Sequence, residues 1–206
     1  MSAELVPGTH CKTWPKDALR VAFGVIWLID ATFQWLPGFR SGYSASLQHA
    51  AQAQPGWLHW WFSFWINLQS GHASLFAYMV ALTETAIGLA LVLGFARKVT
   101  YIFATAFSFL IWGIAEGFGG PYMNGSTDIG AAIMYSVVFL FLLALNYYAG
   151  TSRYSADYYI EQRVSWWWHV AEMRRPAPAT VVLASQPSPP PAPTDVPSVS
   201  VLVGNR

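Results

Sequence analysis

Charge is what this sequence has least of. Only 10% of its 206 residues are Asp, Glu, Lys or Arg, against 54% hydrophobic. A soluble domain carries about 25% charged residues, so this chain lacks the polar surface to be soluble. From Val21 to Ser152 the charged side chains are Asp30, Arg40, Glu84, Arg97, Lys98, Glu116 and Asp128, and no others. Cysteine is nearly missing as well. Cys11 stands alone, which excludes an internal disulfide, a CxxC redox pair and an all-thiolate metal site. No flavin fingerprint or haem-ligand pattern is present, so any redox machinery has to sit on a partner. A net charge of +1 points to no nucleic acid.

What the chain has instead is long apolar runs. Four segments, about 18–36, 74–95, 99–114 and 129–148, approach the roughly 20 residues that cross a bilayer. The reading is an all-α integral membrane protein: a four-transmembrane-helix bundle over 18–150, preceded by an N-terminus at 1–17. Lys12, Lys16 and Arg20 precede the first apolar run as in a signal peptide. That run holds Asp30 and ends without a small-residue cleavage site, so a retained helix is expected. The short GFARK link forces the second and third helices into an antiparallel hairpin.

Basic residues orient such a bundle. Lys12, Lys16 and Arg20, then Arg97 and Lys98, then Arg153, Arg163, Arg174 and Arg175 all fall on one side of a four-helix topology. Arg40 alone lies opposite. Both termini are therefore expected to be cytoplasmic, in an inner membrane of bacterial type, with the 37–73 loop and the glycine-rich loop outside. In that outer loop, Trp57, Trp60, Trp61, Phe64 and Trp65 recur at helical spacing. They suggest a helix over about 56–68 that anchors at the interface or covers a site. After the fourth helix, 151–175 is expected to form a cytoplasmic interfacial helix, capped by Ser155 with Asp157 in its first turn. Residues 176–206, rich in proline, serine and alanine, cannot build a core and are expected to be an extended tail.

The carboxylates carry the functional argument. The helix directions put Asp30, Glu84, Glu116 and Asp128 in the outer half of the membrane. Glu84 lies deepest, about 15 Å along its helix at the usual rise. A carboxylate there costs about 2.5–3.5 kcal/mol on insertion scales, so Glu84 is expected to face the bundle interior. It either bridges helices or handles protons or ligand. Asp128 either stabilises the start of the last helix or belongs to a site. Asp30, with Gln34 one turn on and Arg40 in reach, is equally open. His49, His59 and His72 have no metal-ligand spacing, and no metal site is assigned.

The stretch AEGFGGPYMNGSTDIG (115–130) has the look of an anion cradle. With Glu116 and Asp128 at its lips, a neutral molecule, proton or cation suits it better.

The four helices, the aromatic outer segment, EGFGGPYMNGSTDIGAAIMY and RYSADYYIEQRVSWWWHVAE together resemble the DoxX/DoxD-like membrane proteins over roughly 18–173. The resemblance implies a small integral subunit of a membrane oxidoreductase. In the DoxD branch that is a thiosulfate:quinone oxidoreductase, which passes electrons from thiosulfate to membrane quinone. An acidic mouth suits doubly negative thiosulfate badly. The expectation is a membrane-embedded subunit of a respiratory-type oxidoreductase complex with quinone contact. Glu84, Glu116, Asp128 and Asp30 would handle protons, and Trp112, Tyr122, Tyr135 and Arg40 would line the quinone slot. The alternative is a non-catalytic assembly subunit that docks other membrane subunits through its Trp-rich faces and proline-rich tail. Quinone and lipid are not distinguished by sequence.

Overall fold

In a computed structural model, residues 14–52, 54–120 and 129–174 are described, and everything below concerns them. Tyr122 and Asp128 lie outside this set, as do the 1–13 segment and the 175–206 tail. The described chain is all-helical, with no strand. Its α-helices are α1 (Trp14–Gln34), α2 (Pro37–Ala51), α3 (His59–Gln69), α4 (Ala73–Leu93), α5 (Arg97–Ile114), α6 (Ala131–Ala149), α7 (Ala156–Glu161) and α8 (Trp168–Ala171).

The four long helices share one core. Phe23 and Trp27 of α1, Ile87 and Leu91 of α4, Tyr101 and Ala104 of α5, and Phe139 and Leu142 of α6 bury one another. Edge-on ring contacts knit α1 to α6: Trp27 meets Tyr135 at 5.2 Å and Phe139 at 5.1 Å. These geometries suit the ring quadrupole. Small residues let α1 and α4 approach closely. A Cβ on Gly24 would come within 2.8 Å of Leu91 Cβ, and one on Gly88 within 2.6 Å of Leu28 Cδ2.

Two helices, Ala73–Leu93 and Ala131–Tyr148, are long and apolar enough to cross a membrane, and the bent pair α1–α2 would make a third if counted as one span. Lys16, Asp17, Arg20 and Asp30 interrupt α1, and Arg97 and Lys98 open α5, so neither of these reaches that measure alone.

Two expectations are corrected. Pro37–Ala51, expected to be part of a loop, is the helix α2. Pro37 removes a backbone N–H and pushes Leu36 to an extended conformation (φ −70°, ψ 145°), which ends α1 and starts α2. The axis turns by 87° there. α2 thus lies across α4, with Tyr43 and Leu47 packed on Ala77. Secondly, the described part of the expected 151–175 helix holds two short helices, α7 and α8, instead of one. Ser155 caps neither: its hydroxyl donates to Ser152 O at 3.0 Å.

Candidate functional site

Glu84 sits on the α4 stripe Ala77, Ala81, Glu84, Gly88 and Leu91, the spacing of one buried helix face. The small neighbours draw α1 close, and only 3% of Glu84 is exposed. Gln34, at the last turn of α1, hydrogen-bonds its carboxylate through the side chain. The second oxygen, Oε2, is buried without a partner.

Beside it lies a cavity of about 340 Å³. α2 supplies Phe39, Tyr43 and Leu47 to its wall, α4 supplies Phe76, Val80 and Thr83, and α5 supplies Phe107, Ile111 and Ile114. Gln34, Glu84, Trp65 and Gln69 also line it. Almost all of its surface is apolar, but these four bring buried polar atoms that no protein group satisfies: Gln34 Oε1, Glu84 Oε2, Trp65 Nε1 and Gln69 Oε1. Buried polar groups are paired in the great majority of cases. Four unpaired ones around a single apolar cavity are the mark of a ligand or water site. Three can accept a hydrogen bond, and the Trp65 indole can only donate.

The docking of α3 explains why Trp65 and Gln69 face inward. The indole N–H of Trp61 donates to Gly113 O at 3.0 Å, fixing α3 on the end of α5. Phe62 is buried beside it. Trp57, Trp60 and Phe64 point the other way and are exposed.

The other expected site residues divide. Asp30 is half-buried and lies within electrostatic range of Glu84. Tyr135 packs on Trp27, with its hydroxyl in electrostatic range of Asp30, Glu116 and Glu84. These four gather at one end of the bundle interior, although only Glu84 lines the cavity. Glu116 is placed at the start of α6, where its carboxylate accepts the Ala132 N–H at 3.2 and 3.0 Å. Trp112 is beside it, donating to Ile129 O at 2.7 Å and packing on Phe118. Arg40 lies over the Tyr78 ring, 4.9 Å from its centre. Neither Trp112 nor Arg40 lines the cavity. Among the described residues no three His, Cys, Asp or Glu side chains come together as a metal site.

Two contributors escape sequence reading. Trp65 reads only as part of an aromatic run, and Gln69 carries no signal beyond lying one turn after it. A second polar cluster, at the opposite end, was equally hidden. There Asp157 is wholly buried. Its Oδ1 accepts from Ala96 N–H at 2.7 Å and Trp167 Nε1 at 2.9 Å, and its Oδ2 from Arg97 N–H at 3.0 Å and Nε at 2.9 Å. Arg97 also pairs with Glu172. Arg20 donates to Leu91 O, to Val92 O at 3.0 Å and to Tyr154 O at 2.9 Å, closing the end of α4. Lys16 reaches Gly150 O. Three of the cations that would orient the bundle are thus buried, Lys16 at 7%, Arg20 and Arg97 at 1% exposure. They bind 150–174 to the helix ends in addition to any role at an interface.

This second cluster also keeps buried atoms without a hydrogen-bond partner, on Asp17, Arg20, Asn146 and Glu161, but none of these residues lines the cavity beside Glu84. The cavity at the Glu84 end is therefore the candidate site. Compared with known protein families, curated proteins and solved structures, the chain matches none of them.

Proposed function

We propose that α1, α4, α5 and α6 cross the bilayer as a four-helix membrane bundle, with both termini cytoplasmic, and that the cavity beside Glu84 holds a quinone-class molecule for a membrane oxidoreductase complex. One observation carries this reading: a single apolar cavity surrounded by buried, unsatisfied polar atoms of both kinds. A quinone carbonyl accepts from the Trp65 N–H. A quinol hydroxyl donates to Glu84, Gln34 or Gln69. A plain acyl chain would satisfy none of them. At about 340 Å³ the cavity falls at the small end of ligand pockets, which run about 300–1,000 Å³.

Reducing quinone to quinol takes two electrons and two protons. Glu84 is the group here that reaches the ring and can pass a proton. The electrons come from a partner subunit, because the sequence carries no redox motif. The resemblance to DoxX/DoxD-like proteins agrees with this division of labour.

The test is binding of a decyl-tailed benzoquinone to the purified chain in lipid nanodiscs, followed by calorimetry. Saturable binding is expected, weakened about fivefold in W65F, which keeps an aromatic ring but loses a donor worth about 1 kcal/mol. Absence of saturable binding, or equal binding by W65F and E84L, overturns it. In the native complex, E84Q should cut quinone-linked turnover by about 10²-fold or more, the scale of general acid–base catalysis.

A second reading, a non-catalytic assembly subunit, is favoured by the buried ion pairs that clamp 150–174 to the bundle. Unchanged turnover in E84Q with the complex intact would support it.

A further inference from the structure

We infer that the cavity opens sideways between α4 and α5, and that its ligand is an amphiphile whose ring lies inside while its hydrocarbon tail leaves through that gap into the surrounding lipid. This rests on the quinone-site reading above and adds a route and a tail to it.

Met79 of α4 and Leu110 of α5 both line the cavity, yet they are 54% and 40% exposed. Residues seen from within and from outside form a rim. Between α4 and α5 the rim is apolar, and it continues into exposed apolar faces on both helices: Leu75 and Leu82 on α4, Phe103 and Phe109 on α5. Those faces are what lipid covers if the two helices cross the bilayer. A second edge, at Ser46 of α2 and Ala115 just after α5, also lines the cavity and is exposed, but its hydroxyl suits a hydrocarbon tail less well than the apolar gap. Tyr43, Leu47 and Gln69, which roof the cavity from α2 and α3, are 9%, 5% and 4% exposed.

The polar atoms lie away from the rim. Glu84 and Gln34 stand at the α1–α4 seam, and Trp65 and Gln69 on α3. A polar floor and an apolar mouth orient an amphiphile head-first. The volume agrees, since a cavity this small takes a ring and leaves no room for a long tail. Met79 suits a doorway, because its unbranched thioether adapts to whatever passes.

Two benzoquinone probes with the same ring, one tailless and one decyl-tailed, separate the route from the site. The variants are M79W/L110W, which fills the gap, and L82W, which adds bulk to the exposed face of α4 outside the cavity. Both change exposed positions, so folding is preserved and is checked by circular dichroism. In M79W/L110W the tailed probe should bind about tenfold more weakly, the loss of contact for roughly two methylene groups. The tailless probe should stay within about twofold, the range of surface substitutions. L82W should bind both probes within about twofold of the unaltered chain. If both probes weaken equally in M79W/L110W, or if neither does, the lateral route is wrong while the site stands. If neither probe binds the unaltered chain, the quinone-site reading fails and this inference falls with it.

Discussion

Glu116 holds the first turn of α6 from sixteen residues upstream: its two carboxylate oxygens accept the Ala132 N–H at 3.2 and 3.0 Å. A helix start leaves N–H groups without partners, and a carboxylate there is favourable both as acceptor and against the helix dipole. E116A should therefore lower stability by about 0.5–2 kcal/mol, the usual worth of a lost cap. E116Q, which keeps an acceptor, should lose less. Chemical unfolding in detergent followed by circular dichroism measures both. Quinone affinity should stay unchanged in each, since Glu116 does not line the cavity.

Removing Asp157 leaves the buried Arg97 paired with Glu172 alone and takes the acceptor from the Ala96 and Arg97 N–H groups and the Trp167 indole. D157A is expected to cost about 3–5 kcal/mol. The double variant R97M/D157L should be less destabilised than the sum of its single changes, because two apolar side chains can replace a buried pair. A double-mutant cycle in detergent reads the coupling. Additive effects would mean that the pair carries no specific energy.

The close approach of α1 and α4 predicts an order between two glycines. A Cβ at Gly24 meets Leu91 Cβ at 2.8 Å and Val92 N at 3.0 Å, atoms that cannot swing aside. At Gly88 the contacts are Leu28 Cδ2 and Cγ, at 2.6 and 2.7 Å, which a rotamer change can relieve. G24A should cost about 1–3 kcal/mol, as overpacking does, and more than G88A. Equal unfolding midpoints would contradict this.

Glu161, in α7, gives a pH dependence. Burial raises its carboxyl above the ordinary range, and Glu172 and Asp157 push the same way, while the Thr151 hydroxyl and Arg97 oppose it. The folded chain thus holds this proton more tightly than the unfolded one. The resulting stabilisation is fully present below the unfolded value, about 4.3, and is lost as pH rises through the folded value. E161Q should flatten the stability profile in that window and be slightly more stable than the parent at neutral pH. Unfolding midpoints measured across the acidic range test it.

How much of this was legible in the sequence depends on the distance over which each residue acts. The long helices show themselves locally, through apolar runs and a GFARK link whose Gly94 takes the left-handed conformation, φ 67°. The burial of Glu84 follows from the cost of a carboxylate among apolar neighbours. α2 is hidden because PGFRSGYSASLQHAA mixes small and polar residues with little periodicity, and Pro37 alone marks its start. The inward turn of Trp65 and Gln69 depends on where Trp61 anchors α3, which no spacing within 56–68 reveals. Asp157 reads as an acid serving its own helix, whereas its carboxylate serves α5. Only the folded chain shows the four unsatisfied atoms facing one cavity.

That last bond also bears on how the protein is made. Asp157 is translated sixty residues after Arg97. At about 5–20 residues per second, the nascent hairpin waits on the order of several seconds for the group that caps α5. Until then the Ala96 and Arg97 N–H groups lack the carboxylate that accepts them, and the start of α5 must be held in place by other means. The last residues to leave the ribosome before the tail are thus the ones that finish a turn near the middle of the chain. A message cut short before codon 157 would yield α1 to α6 with the hairpin still unsealed.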